Sequence, residues 1–189
     1  MQDISLHLLD VIQNSVSASA KCVKVRVLQN VVENRLRTIV EDDGTGMDSH
    51  TLQKAQDSLY STKKEQVKNV GLGIPLFKQN AEQAGGAFRM ASELGHGTVL
   101  TADFPLDNLD RLPLGNLKDT LLNSIIGHPQ LDFNIHLLYR DNAKELCFNF
   151  DTKEVREELG EIPLNYPDVI EYIDQTLYEG IQKTNMEDV

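Results

Sequence analysis

The chain has 189 residues, 40% of them hydrophobic, enough for one packed domain or one domain with a sizeable appendage. Its formal charge of -11 argues against nucleic acid as a partner, because binding a phosphate backbone needs a surplus of Lys and Arg. Cys22 and Cys147 form no C-x-x-C, and there is no apolar run of about 18 residues and no basic-then-apolar start. The composition thus predicts no disulfide framework, zinc site, membrane span or signal peptide, and a reduced cytoplasm is the simplest setting.

Residues 4–19 read as a helix, with Ile4, Leu8, Val11 and Ile12 recurring on one face. At about 100° per residue, Asp10, Asn14 and Ser17 form a stripe about 60° wide on the other face, with Ala18 beside them. Such a stripe is also the ordinary wet side of an amphipathic helix. A carboxylate followed one turn later by a carboxamide can in addition bind a hydrated Mg²⁺ and orient a water.

Two strands follow, Cys22 to Gln29 with Val23, Val25 and Val27 alternating, and Arg35 to Glu41 with Leu36, Thr38 and Val40 alternating. The second delivers the stretch Val40-Glu41-Asp42-Asp43-Gly44-Thr45-Gly46-Met47. Its D-x-G-x-G spacing suits an ordinary turn, and equally a loop whose backbone approaches a flat ligand while a carboxylate, read as Asp43, accepts from an amino group such as adenine's. Asp48 is the expected N-cap of a short helix to about Gln56.

From Asp57 to Asn69 periodicity lapses, and Lys63, Lys64 and Lys68 make a local basic run suited to an anionic ligand or simply to a solvated loop. Val70-Gly71-Leu72-Gly73-Ile74-Pro75 then opens a helix with Leu76, Phe77 and Ala81 on its apolar face. Free N–H groups and the dipole at that end favour phosphate. Gly85-Gly86 ends the helix, and strands Ala87 to Ser92 and Thr98 to Phe104 follow. The order predicts an α/β sandwich with helices on one face of a mixed sheet.

These elements together resemble the ATP-binding domain of the GHKL superfamily of gyrase, heat-shock chaperone, sensor histidine kinase and mismatch-repair ATPases. Asp10 to Ala18 is similar to the N box, Asp43-Gly44-Thr45-Gly46 to the G1 box and Gly71-Leu72-Gly73 to the G2 box. Leu59 to Lys64 resembles the lid-side F box of sensor kinases, and Gly95-His96-Gly97-Thr98 their terminal Gly-x-Gly-Thr. The similarity covers about residues 4–106 and implies a Bergerat-type fold. It implies that Asn14, with Asp10, holds Mg²⁺, that Asp43 accepts from adenine, and that Thr98 supports the ring through water. It also implies that the N–H groups of Gly71, Leu72 and Gly73 bind phosphate under Lys63 or Lys64. Gly44, Gly46 and Met47 belong to the same nucleotide-binding set, and Asp10 is the catalytic residue.

Three positions depart from the pattern. Asp10 stands where hydrolysing members carry a longer glutamate, and Asn69 replaces a glycine of the kinase-type G2 box. Only nine residues precede Asp10, too few for the phosphoacceptor hairpin of a sensor kinase. His7 is read as a packed or surface histidine, and His96, His128 and His136 show no ligand spacing.

After Phe104-Pro105-Leu106 composition shifts: residues 1–106 carry 11 basic and 12 acidic side chains, residues 107–189 carry 7 and 17. The boundary is therefore set there, with an acidic C-terminal α+β extension over 107–189 that offers a solvated or partner-docking surface. It contains a helix over 116–126, a hairpin of Asp132 to Tyr139 and Glu145 to Phe150, a short helix capped at Asp151, and a helix from Pro167 to Lys183 on Ile170, Ile173, Leu177 and Ile181. The expectation is an ATP/ADP-binding, stand-alone kinase or ATPase acting on a partner protein in signalling or regulation, with a homodimer left open. The alternative is a nucleotide-sensing switch with negligible turnover.

Overall fold

The structure, a computed structural model, describes residues 2–56, 73–160 and 162–186. The elements in chain order are α1 (Ile4–Ser17), β1 (Cys22–Asn30), β2 (Arg35–Asp42), α2 (Ser49–Gln56), α3 (Gly73–Gln83), β3 (Ala87–Glu93) and β4 (Gly97–Pro105). They continue with α4 (Leu117–Gly127), β5 (Asp132–Arg140), β6 (Glu145–Asp151), α5 (Thr152–Leu159) and α6 (Pro167–Lys183).

Local chemistry sets the ends of these elements. The Asp3 carboxylate caps α1 by accepting from the Leu6 N–H. Asp48 accepts from the Thr51 N–H at 2.7 Å and starts α2, as its sequence position predicts. Asp151 caps α5 through the Lys153 N–H, and Gly160 ends it at a positive φ of 64°. In α6 the buried face is Val169, Ile173, Leu177 and Ile181, so Val169 replaces the expected Ile170.

The strands form one mixed sheet in the order β3-β4-β2-β1-β5-β6. All neighbours are antiparallel except β1 and β5, which run parallel from Cys22 opposite Asp132 to Asn30 opposite Arg140. Strand alternation puts Val23, Val25 and Val27, Leu36, Thr38 and Val40, and Phe133, Ile135 and Leu137 on the buried face. Polar side chains such as Lys24, Arg26, Arg37 and Glu41 take the other, where Lys24 pairs with Glu41 and Arg37 with Asp103. The fold is thus α+β, a two-layer sandwich.

The charge shift after residue 106 has no counterpart in the sheet. Residues 107–189 contribute β5 and β6 to the same sheet, and α4 packs on α1. The linker that follows β4 also bonds to α1, where the Ile4 and Ser5 N–H groups donate to the Pro113 and Leu114 carbonyls, both at 2.9 Å. The buried apolar residues form one continuous core from Ile4 to Met186. Among the described residues no helix is long and apolar enough to cross a membrane.

Candidate functional site

A cavity of about 210 Å³ opens between α1, the end of β2, α2 and the β3–β4 hairpin. Its apolar walls include Val11, Val40, Met47, Ile74, Met90 and Leu100. Its polar groups include Asn14, Ser15, Asp42, Thr45 and Thr98. An apolar slot with a few convergent polar groups is the usual form of a small-molecule site.

The carboxylate in this cavity is Asp42, which corrects the expectation for Asp43. Leu36, Thr38 and Val40 already face inward, so the two-residue period of β2 carries Asp42 to the same side and turns Asp43 away. Asp43 Oδ1 instead accepts from the Lys21 and Cys22 N–H groups at 2.7 and 2.9 Å, tying the end of β2 to the turn before β1. Asp42 Oδ1 accepts from the Gly44 N–H and its Oδ2 from the Ser15 hydroxyl, each at 2.9 Å. Two donors on different elements therefore fix its plane.

The loop after Asp42 is locked against the β3–β4 hairpin. The Thr45 N–H donates to the Ala18 carbonyl, and the Thr45 carbonyl accepts from the Gly95 N–H at 2.8 Å. The Gly46 and Gly97 backbones cross so closely, both at positive φ, that a Cβ at Gly46 would overlap the Glu93 carbonyl and one at Gly97 the Asp42 carbonyl. Gly46, Met47 and Thr98 line the cavity, while Gly44 serves by its bond to Asp42.

The stripe on α1 divides. Asn14, Ser17 and Ala18 reach the cavity; among the described residues its wall takes in Asn14 but not Asp10. Asp10 lies against Gly73 at the start of α3, where a Cβ on the glycine would come within 2.6 Å of Asp10 Oδ2. Burial there raises the Asp10 carboxyl above its ordinary pKa. Lys63, Lys64, Gly71 and Leu72, with the F-box stretch and Asn69, lie outside the described residues. Sequence reading missed Asp42 and Ser15; the alternation of β2 was the available signal for Asp42, and Ser15 carried none.

His7, one turn before Asp10, is buried and stacks on Phe77 with ring centroids 4.7 Å apart. Its Nε2 faces the Asn80 amide at 2.7 Å. Burial pushes its pKa from 6.5 down to about 4. The native state thus holds this ring neutral at a pH where the unfolded chain protonates it. Its contribution is fully present above pH 6.5 and is lost as pH falls toward 4. Denaturant titrations at pH 7 and pH 5 should show a loss on the order of 2 kcal/mol that His7→Phe removes; an equal slope in the variant would refute the assignment.

The chain belongs to the histidine kinase-, DNA gyrase B- and HSP90-like ATPase family, whose model matches residues 2–108. It is 27% identical over 110 residues to a putative sensor protein of Shewanella frigidimarina (strain NCIMB 400), a match covering 58% of this chain and 17% of that protein. It is 29% identical over 98 residues to sporulation kinase C of Bacillus subtilis (strain 168), covering 52% of this chain and 22% of that one. The chain therefore spans about a fifth of the length of these curated relatives. Among solved structures, the N-terminal domain of a DNA repair protein superposes with a TM-score of 0.51 at 12% identity, over 78% of this chain and 52% of that one, a likeness of fold alone.

Proposed function

We propose that the cavity holds the adenine ring of ATP or ADP, and that the chain is a kinase or ATPase passing the γ-phosphate to water or to a partner protein's side chain in signalling or regulation. The observation that carries the reading is Asp42: a carboxylate held in plane by two donors at the end of an apolar slot. Such a group takes an exocyclic amino donor, and the slot's size, below the about 300 Å³ where drug-sized pockets begin, suits one ring system with the phosphates outside it.

Among the described residues no three His, Cys, Asp or Glu side chains stand together as a metal cage. Mg²⁺ would arrive with the phosphates, since this ion keeps waters and takes few protein oxygens. The Asn14 carboxamide on the cavity wall, with Asp10 one turn away, would supply those oxygens, and bound Mg²⁺ would neutralise phosphate charge. Asp10, a carboxylate one turn from Asn14 on the same helix, is suited to accept a proton from the attacking hydroxyl or water.

The second reading, a switch in which the nucleotide sets docking without turnover, is favoured by the short side chain at Asp10, where the resemblance implies that hydrolysing relatives carry glutamate. Asp10→Asn separates the two because it keeps the shape that meets Gly73 and removes the charge. On the kinase or ATPase reading the variant binds ADP within about threefold of wild type, while phosphate release or transfer from Mg-ATP falls at least about a hundredfold. Wild type that binds ADP yet neither hydrolyses nor transfers, with candidate partners present, leaves the switch.

A further inference from the structure

Ser92 is the residue of this region that neither the sequence motifs nor the adenine contact uses, and its hydroxyl has three neighbours. The Met47 N–H points to its Oγ at 2.9 Å, the Gly97 carbonyl lies at 2.8 Å and the Thr98 hydroxyl at 2.9 Å. An amide N–H can only donate and a carbonyl can only accept. One arrangement alone pairs all three: Ser92 accepts from Met47, gives its single proton to Gly97, and so receives the proton of Thr98.

Thr98 is thereby left with lone pairs only. It stands opposite Asp42 across the β2–β4 ladder, on the cavity side. Asp42 is itself an acceptor whose oxygens already take the Gly44 N–H and the Ser15 hydroxyl; Ser15 Oγ is nearer to this carboxylate, at 2.9 Å, than to the Val11 carbonyl at 3.2 Å. Asp42 and Thr98 are consequently a neighbouring pair of acceptors with no hydroxyl proton of their own to offer a ligand.

Resting on the nucleotide reading above, we propose that Ser92 is a specificity-determining residue: by holding the Thr98 proton, it makes the pocket take a 6-amino purine and reject a 6-oxo purine. An amino group gives its protons to this pair. A carbonyl oxygen in the same place meets lone pairs and stays unpaired, the situation that produces the largest discriminations between close analogues.

The test is calorimetry of ADP and inosine diphosphate on the full chain. Hypoxanthine carries a 6-oxo acceptor in place of adenine's 6-amino donor, and an N1–H donor in place of adenine's N1 acceptor, on the same ribose diphosphate, so the Ser92 and Thr98 variants isolate the response of the 6-position. Wild type should prefer ADP by about a hundredfold or more. In Ser92→Ala the Thr98 hydroxyl is free to turn its proton toward the 6-oxo group, and the ADP preference should shrink about tenfold or more. Ser92→Thr, which keeps a hydroxyl at the same atom, should restore it. In a Thr98→Val background, Ser92→Ala should leave the ratio unchanged, because no proton remains to be redirected. If thermal melting shows that Ser92→Ala does not fold, Ser92→Cys, a weak donor and acceptor of similar size, carries the same expectation. A Ser92 that only braces the loop would weaken both ligands equally; an unchanged ratio in the folded variant overturns the proposal while the nucleotide reading stands. Failure of wild type to bind ADP overturns both.

Discussion

Asp42→Asn is expected to lower ADP affinity at least about a hundredfold, while Asp43→Ala leaves it within about threefold. Both residues are acidic neighbours at one strand end, so bulk charge predicts the same effect for each. The hydrogen bonds predict otherwise. The Asp42 oxygens each take a fixed donor, the Gly44 N–H and the Ser15 hydroxyl, and face the cavity. An amide of the same size accepts with one end only, so it turns an N–H₂ toward either a protein donor or the ligand's amino group, replacing attraction by donor–donor conflict. Charge-assisted bonds are about twice as strong as neutral ones, and losing one together with its geometry amounts to about 3 kcal/mol. Asp43 accepts from the exposed Lys21 and Cys22 N–H groups, and losing these bonds should cost about 1 kcal/mol of folding stability. Calorimetry with ADP and denaturant melts of the two variants check both halves; comparable losses of affinity would show that the cavity is not the adenine site.

The same pair of residues shows where sequence reading is strong and where it stops. The alternation of Leu36, Thr38 and Val40 was legible, and extending that period two residues selects Asp42; anchoring instead on the residue adjoining Gly44 selected Asp43. Periodicity is local, so helices and strands with a clear period were read to within a residue or two: the turn after β1, the Asp48 cap and the two hairpins all stand near their expected places. The stripe on α1 was legible as a polar face, but its division into Asn14 on the cavity and Asp10 on Gly73 depends on how α3 approaches. Tertiary packing decides that. The Ser92 hydroxyl network brings β3, β4 and the Met47 loop together, and no spacing in the chain encodes it. The parallel pairing of β1 with β5 joins segments about 110 residues apart. Composition pointed the other way there, since an acidic solvent face and an apolar buried face coexist on the same elements.

That pairing leads to the second large effect: residues 1–106 alone are expected not to fold cooperatively, even though the family match takes in residues 2–108. Removing the rest strips β1 of its nine-residue parallel ladder and leaves a central strand as an open edge, a ready template for aggregation. It also uncovers the core that Leu114, Leu117, Leu121, Ile125, Phe133, Ile135 and Leu137 close, every one of them at most 2% exposed. At about 1.5–3 kcal/mol per buried side chain, these contacts together are comparable with the about 5–15 kcal/mol that holds a whole domain. The first turn of α1 loses its bonds to the Pro113 and Leu114 carbonyls, and α4 no longer backs the helix that carries Asp10 and Asn14. Truncation should therefore abolish both the cooperative melt and ADP binding. Phe133→Ala in the full chain should cost about 3–5 kcal/mol through the same core. Should residues 1–106 melt cooperatively near the full-length Tm and bind ADP as well, the C-terminal elements would be an independent lobe, and the continuity of the sheet would contribute little to the nucleotide site.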